Sequence, residues 1–183
     1  SGAAKVSGGE RVPYVRARAI ADDVLAWLSP FCNRVEVAGS VRREARDCGD
    51  VEIVCVPGPR IGVQPDLWGV PAREVTTLHE ELDRALAAGE IAHPEHKGWG
   101  ERQRKFIFKG VQIDCYIVPE PERFGTILLI RTGPAEYSHA VAEWLRRSDV
   151  WGFAGGALEL NHGYEGGGWL PVVTTEEQDV FRL

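Results

Sequence analysis

Two apolar runs with the composition of buried β-strands each carry acidic side chains, and this pattern constrains the fold more than any other feature of the chain. The first run covers residues 50–56 and the second covers residues 111–118. Because successive side chains of a strand point to opposite faces, Asp50 and Glu52 emerge together on one face of the first strand. A carboxylate inside a core strand needs a cation or an arginine nearby, so Asp114 in the second run is expected to lie beside this pair.

Three converging carboxylates indicate a metal site. Carboxylates this close repel each other unless a cation lies between them, and Mg²⁺ prefers acidic oxygen ligands. Three carboxylates that hold two divalent ions roughly 3.5 to 4 Å apart form the arrangement that clamps the attacking and leaving oxygens in phosphoryl transfer. One alternative stays open, in which Asp114 is a structural carboxylate paired with Arg104 or Lys105 across a hairpin.

Hydrophobic periodicity and turn residues divide the chain into alternating helices and strands. Apolar residues recur at helical spacing from about residue 14 until Pro30, and Lys109-Gly110 is typical of a tight hairpin turn between strands over 105–108 and 111–118. The remaining predicted strands are 34–38, 51–56 and 157–160, and the remaining predicted helices are 74–88 and 134–147. The apolar run over 124–130 fits a buried helix or a strand, and periodicity alone does not decide between them. This order predicts an α+β fold.

Two further expectations concern the C-terminal part of the chain. In the helix over 134–147, helical spacing places Tyr137 and Trp144 on a common face with Leu145, and these aromatic residues are expected to be core. Thr174 and Glu177 have the spacing of a capping box for a final short helix.

Composition favours one compact enzyme domain. The chain has 183 residues, and 44% of them are hydrophobic, which suffices for a core. Residues 1–12 are small, polar and glycine-rich and are interpreted as a disordered, tag-like segment. No apolar stretch approaches a membrane span, so we expect a soluble, cytoplasmic protein without a membrane partner. The four cysteines show no metal-binding spacing and are expected to be reduced.

The net charge of −6 fits a nucleic-acid-binding protein poorly, because such binding draws on lysine and arginine contacts to phosphates. Basic residues are nevertheless clustered near the acidic motifs. These clusters are Arg42, Arg43 and Arg46; Lys97, Arg102, Arg104, Lys105 and Lys109; and Arg146 and Arg147. Each cluster is either a DNA contact or an ordinary solvated face, and any DNA binding is expected to be weak and salt-sensitive.

The motifs together resemble the nucleotidyltransferase pattern of a Gly-Ser turn, a DxD or DxE pair and a later aspartate. Gly39-Ser40 supplies the turn, an arginine pair follows it, and the acids are those named above. Arg131-Thr132-Gly133-Pro134 is similar to the Thr-Gly turn that joins palm to thumb in family X DNA polymerases. Gly168-Trp169-Leu170-Pro171 and residues 174–181 are similar to the end of that family's thumb. The resemblance runs from about residue 13 to the C-terminus.

The resemblance favours a helix over residues 124–130, and it implies a fold and a domain organisation. A nucleotidyltransferase palm with a mixed β-sheet and packed helices is expected over residues 13–131, and a small α+β thumb-like lobe over residues 132–183. The amino-terminal lyase domain of larger family members has no counterpart here, so lyase activity is not expected. A monomer is assumed.

The resemblance also implies roles for individual residues. Asp50 and Glu52 would bridge two Mg²⁺ ions, with Mn²⁺ as a substitute, and Asp114 would bind the catalytic ion alone. The remaining nucleotide-binding residues fall into two groups. Gly39, Ser40, Arg43 and Gly49 would hold the phosphates of an NTP or dNTP, and the turn Arg131, Thr132 and Gly133 would lie at the nucleotide, with Thr132 and Gly133 facing its sugar.

Some positions depart from the family pattern. Glu52 stands where family X usually has aspartate, Gln112 stands where an arginine is common, and Ile130-Arg131 replaces an aromatic pair. The last change predicts that ribonucleotides are accepted. The expected activity is DNA-directed synthesis on a primer and template in DNA repair. The alternatives are template-independent transfer, transfer to a small molecule, and a catalytically inactive module that binds nucleotide or DNA.

Overall fold

The computed structural model describes residues 11–58, 76–96, 98–147, 151–154, 157–161 and 169–182. From the N-terminus the elements are β1 (Val12–Pro13), α1 (Tyr14–Leu28), β2 (Cys32–Val37), α2 (Gly39–Arg42), β3 (Asp47–Cys48), β4 (Val51–Pro57), α3 (Thr77–Ala87), β5 (Gln103–Phe108), β6 (Val111–Ile117), α4 (Phe124–Thr132), α5 (Ala135–Arg147), β7 (Trp151–Ala154), β8 (Ala157–Asn161) and β9 (Trp169–Pro171). A 3₁₀-helix over Glu177–Phe181 follows them. The expected mixed α+β class is confirmed.

A mixed sheet of four strands forms the centre, in the order β2-β4-β6-β5. β4 and β6 are parallel, whereas β2 and β5 join them as antiparallel edge strands. Parallel neighbours need a crossover connection, and the segment between β4 and β6 contains α3 and β5. Because the two acidic runs are parallel neighbours, their motifs lie at the same end of the sheet.

The two faces of the sheet are covered by different helices. Val51, Ile53 and Cys55 of β4 pack in a core cluster with side chains of α1 and α3. Val54 and Val56 point the other way and pack with Phe124 and other residues of α4. By the alternation of a strand, Glu52 belongs to the α4 face.

Most local predictions are confirmed. α1 buries one side and ends just before Pro30, and Lys109 and Gly110 connect β5 to β6 with positive φ angles of 49° and 78°, as a tight hairpin turn requires. Residues 124–132 form a helix and 157–161 form a strand. The first residues of the helix expected over 74–88 lie outside the described residues, and its described part begins at Thr77.

Two predictions about the C-terminal part are wrong. Tyr137 and Trp144 are 41% and 57% exposed, because α5 turns its smaller residues inward and buries Ala142 with Leu145. The capping box is formed by Glu176 and Asp179 instead of by Thr174 and Glu177.

Thr174 has another role. Its hydroxyl is buried against that of Thr126 in α4 at 2.6 Å, and its backbone N–H donates to Glu122 O at 2.6 Å. The segment after β9 therefore docks on α4 and the residues just before it. β7, β8 and β9 form a separate antiparallel sheet next to α5.

The N-terminal boundary also differs from the expectation. Residues 1–10 of the segment assigned as tag-like lie outside the described residues. Arg11 and Val12 belong to the fold, because Val12 is buried and pairs with Cys48 in the short β1–β3 ladder. None of the described helices is long and apolar enough to cross a bilayer.

Candidate active site

The three predicted acids lie side by side. Glu52 in β4 and Asp114 in β6 are register partners across the parallel ladder, so their side chains share one face of the sheet. Asp50 stands in a bend one residue before β4 and lines the same cavity as Glu52. The expectation that the late aspartate joins the early pair is met by the geometry of the sheet.

The acids perturb one another. Burial raises the pKa of Asp50, and the charge of Asp114 adds to the effect. Burial also raises the pKa of Glu52 to about 7, with the charge of Asp50 next in importance, and the guanidiniums of Arg131 and Arg43 oppose the rise. Both shifts show that the charged form of these carboxyls is costly in the ion-free protein, and a bound cation would lower that cost.

Asp114 has two donors within the protein. The Lys105 ammonium donates to its Oδ2 at 2.5 Å from the neighbouring strand β5, and the Gln112 amide donates to its Oδ1 at 2.7 Å. Asp114 itself is only 3% exposed. The sequence left the pairing of Asp114 with Lys105 open as an alternative to the cluster of acids. The structure contains both: Asp114 pairs with Lys105 and also lies beside Glu52.

The donor set suits Mg²⁺ or Mn²⁺ in chemistry, because it offers several carboxylate oxygens, which these ions prefer. No three histidine, cysteine, aspartate or glutamate side chains of the described ranges stand as a ready-made metal cage. Both oxygens of Asp114 are engaged, so an ion that used all three acids would share Asp114 with Lys105 or displace it. Two-ion binding stays a prediction.

The Gly-Ser turn is the single-turn helix α2, and its glycine is required by both backbone and space. Gly39 has φ +61°, and a Cβ on it would lie 2.0 Å from Glu52 Oε2. The carboxylate of Glu52 therefore packs directly on the Gly39 backbone. Ser40 Oγ is buried and has no hydrogen-bond partner among the described residues. Its hydroxyl is left available to a ligand.

The arginine pair ties this turn to the Thr-Gly turn. Arg43 donates to the Thr132 carbonyl, and a Cβ on Gly133 would lie 2.8 Å from its Nη1. Arg42 donates to Thr132 Oγ1 at 3.1 Å and forms a two-pronged ion pair with Glu177. The turn predicted to face the sugar is therefore held close to the turn predicted to face the phosphates.

These elements enclose a cavity of about 560 Å³. Predicted site residues that line it are Ser40, Arg43, Gly49, Asp50, Glu52, Arg131 and Gly133. The Arg131 guanidinium lies 4.0 Å from the ring centre of Tyr116, which orients it. Asp114, Gly39 and Thr132 stand behind this lining, and the Thr132 hydroxyl donates to Leu128 O instead of facing the cavity.

Three polar residues of the lining were missed from the sequence, namely Arg11, Ser138 and His139. Arg11 reaches the site because β1 pairs with β3, and its guanidinium donates to Asp47 O at 2.7 Å. Nothing local signals that long-range pairing. Ser138, His139 and Ala142 share one face of α5, and their helical spacing after the Thr-Gly turn was a usable signal.

Neither a scan against protein-family models nor a search of curated proteins finds a match for this chain. The functional interpretation rests on the residues and their geometry.

Proposed function

We propose that this protein is a nucleotidyltransferase that transfers a nucleotide from an NTP or dNTP to a 3′-hydroxyl. One observation carries the proposal: Glu52 and Asp114 are partners across a parallel ladder, and Glu52 and Asp50 line a polar cavity. Carboxylates alone would fit many metal enzymes. The arginines that share the cavity with them add a counter-charge for phosphates, which favours phosphoryl transfer.

The cavity divides into an acidic and a basic part. Arg11, Arg43 and Arg131 supply guanidinium groups, whose planar forks match phosphate oxygens. Ser40 adds a hydroxyl that no described protein atom satisfies. A volume of about 560 Å³ lies within the usual range of small-ligand pockets, roughly 300 to 1,000 Å³. We assign the triphosphate to this basic part and the reacting hydroxyl to the acidic part.

The protein side chains act by positioning and charge. Asp50, Glu52 and Asp114 would hold Mg²⁺, which when bound neutralises phosphate charge and lowers the pKa of the attacking hydroxyl. Arg43 is anchored by the Thr132 carbonyl, so its guanidinium is already oriented at the cavity before substrate binds. Arg131 is likewise oriented by its stacking on Tyr116. Preoriented donors lose little entropy when substrate arrives, which favours catalysis.

The finer assignment is a family X-like polymerase with a palm over 13–131 and a thumb-like lobe over 132–183. It is supported by the Thr-Gly turn next to the Gly-Ser turn, and by a helix and a small sheet that follow the palm sheet. The Thr-Gly turn with the helix that follows it favours a nucleic-acid acceptor over a small molecule. DNA-directed synthesis is therefore our first candidate.

A second candidate, transfer without a duplex template, is favoured by the state of the basic residues. Many of the basic residues that the sequence offered as a DNA contact already form ion pairs with acidic side chains of the protein, several of them exposed. The pairs are Arg42 with Glu177, Arg102 with Glu120, Arg104 with Asp83, Lys105 with Asp114, Lys109 with Asp23 and Arg147 with Glu143. Lys97 lies outside the described residues. Weak, salt-sensitive DNA binding follows from this pairing.

Primer extension tests the proposal. Wild type is compared with Asp50→Asn and Asp114→Ala on a one-nucleotide-gap duplex and on a single strand, with dNTP and rNTP. We expect Mg²⁺-dependent product from wild type and a loss on the order of 100-fold or more in both variants. Glu143→Gln, a change on the exposed side of α5, serves as the control and should retain activity.

The substrates separate the candidates. Addition that follows the template base supports DNA-directed synthesis, and equal addition to the single strand supports the second candidate. Undiminished activity in Asp50→Asn and Asp114→Ala would refute the assignment of the site. Strict rejection of rNTP would contradict the expected loss of sugar discrimination.

A further inference from the structure

Lys105 is an internal cation placed at the most buried of the three acids. It is the register partner of Asp114 across the β5–β6 ladder, and its ammonium donates to Asp114 Oδ2 at 2.5 Å. The side chain of Asp114 is 4% exposed and that of Lys105 is 29% exposed. A carboxylate so buried would be costly without this partner.

The position of the lysine is set by its surroundings. Its backbone N–H donates to Gly98 O at 2.6 Å, and a Cβ on Gly98 would lie 3.0 Å from its Cγ and Cδ. The stem of the side chain therefore runs across a glycine that leaves it just enough room. Because Gln112 occupies the other oxygen of Asp114, the carboxylate is held from both sides.

An ion that binds Asp114 must compete with this arrangement. The ion either displaces the Lys105 ammonium from Asp114 Oδ2 or binds next to this positive charge. Both lower the affinity of the site for the ion. The other two acids lack a comparable partner, because no hydrogen bond or ion pair involving Asp50 or Glu52 is formed among the described side chains. Lys105 therefore makes a direct contact with one acid of the three, Asp114, while its charge also reaches Asp50.

We propose that Lys105 is a positioning residue that holds Asp114 in line with Glu52 and sets the divalent-ion affinity of the site by competing for Asp114. The inference rests on the proposed function, since it concerns the same acids. It predicts that the lysine stabilises the ion-free protein and weakens ion binding. A purely structural ion pair would have only the first effect.

Mn²⁺ titration of the free protein, followed by electron paramagnetic resonance, tests this inference without an activity measurement. The variants are Lys105→Gln, Lys105→Met, Lys105→Arg and Lys109→Gln. Methionine keeps the packing of the stem on Gly98 without the charge, so it carries the test if the glutamine variant does not fold. Lys109→Gln is the matched control, because it removes the same charge from an exposed ion pair with Asp23.

We expect Lys105→Gln and Lys105→Met to bind Mn²⁺ about fivefold or more tightly than wild type, the lower end of usual coupling between two binding events. Lys105→Arg and Lys109→Gln should stay close to wild type. The thermal shift on adding Mn²⁺ should also be larger in the two uncharged variants.

The outcomes separate the two proposals. Saturable binding to wild type with equal or weaker binding to the uncharged variants would overturn the role of Lys105 alone. An equal gain in Lys109→Gln would overturn it too, because the effect would then be one of net charge. Absence of saturable binding in every protein, including wild type, would overturn the metal site and this inference together.

Discussion

Glu52 is expected to destabilise the ion-free protein at neutral and alkaline pH, and Glu52→Gln should reveal it. Folding raises the pKa of this carboxyl from 4.5 to about 7, chiefly through burial. A shift of this size corresponds to about 3 kcal/mol, which we reduce to about 1 to 2 kcal/mol because the side chain is only partly buried. Glutamine has nearly the shape of the protonated carboxyl group and stays uncharged at every pH. Glu52→Gln should therefore recover the lost free energy of unfolding.

The sign of the pH dependence follows from the direction of the shift. Because the folded pKa lies above the unfolded one, the folded state binds the proton more tightly. Wild-type stability should therefore fall as pH rises from about 4.5 to about 7, and the glutamine variant should not show this part of the fall. At pH 5 the two proteins should be similar, and at pH 8.5 the variant should be the more stable.

Thermal unfolding in EDTA, followed by circular dichroism at these two pH values, measures the difference. For a chain of this size, about 1 to 2 kcal/mol corresponds to a rise in Tm of about 2 to 8 °C at pH 8.5. Glu143→Gln removes an exposed carboxylate and should change Tm little at either pH. A Glu52→Gln variant that is no more stable than wild type at pH 8.5, or equally stabilised at pH 5, would refute the reasoning.

Three further substitutions test individual contacts. Gly39→Ala should lower stability by about 1 to 2 kcal/mol because of φ +61°, and should abolish nucleotide transfer because the new Cβ displaces the Glu52 carboxylate. Urea unfolding measures the first effect and primer extension the second, and normal activity would contradict the contact. Ser40→Ala should leave stability unchanged or higher, since it removes a buried hydroxyl without a partner. It should also raise the KM for nucleotide about tenfold, and an unchanged KM would show that Ser40 does not bind the phosphates. Gly125→Ala should lower the free energy of unfolding by roughly 1 to 3 kcal/mol or more, because its Cβ would lie 2.3 Å from the backbone of Glu176. If urea unfolding gives the variant wild-type stability, the C-terminal segment is not docked there.

The sequence predicted the elements whose signal is local. Period-two alternation predicted Asp50 and Glu52 on one face, and both line the same cavity. The Lys109-Gly110 turn correctly predicted the hairpin that carries Asp114. Both signals depend only on the direction of successive side chains or on the φ angles of a turn. They need no knowledge of distant residues.

Predictions that depended on contacts with segments far away in the sequence were less accurate. The side of α5 that turns inward was assigned to the aromatic residues, but Tyr137 and Trp144 are exposed. A helical pattern shows which residues share a face, and only the neighbouring elements decide which face is covered. Thr174 was read as a cap for the same reason, although Thr126 of α4 takes its hydroxyl.

The sequence by itself determined that two strands carry acids on defined faces and that a glycine and a serine precede the first pair. Only the tertiary structure decided that these strands are parallel neighbours, that Arg11 lines the cavity and that Lys105, among the possible cations, pairs with Asp114. The physical reason is the distance along the chain over which each interaction acts. Alternation and turn geometry are properties of a few consecutive residues, whereas strand order, the choice of ion-pair partner and the burial of a carboxylate arise only when segments far apart in the chain pack together.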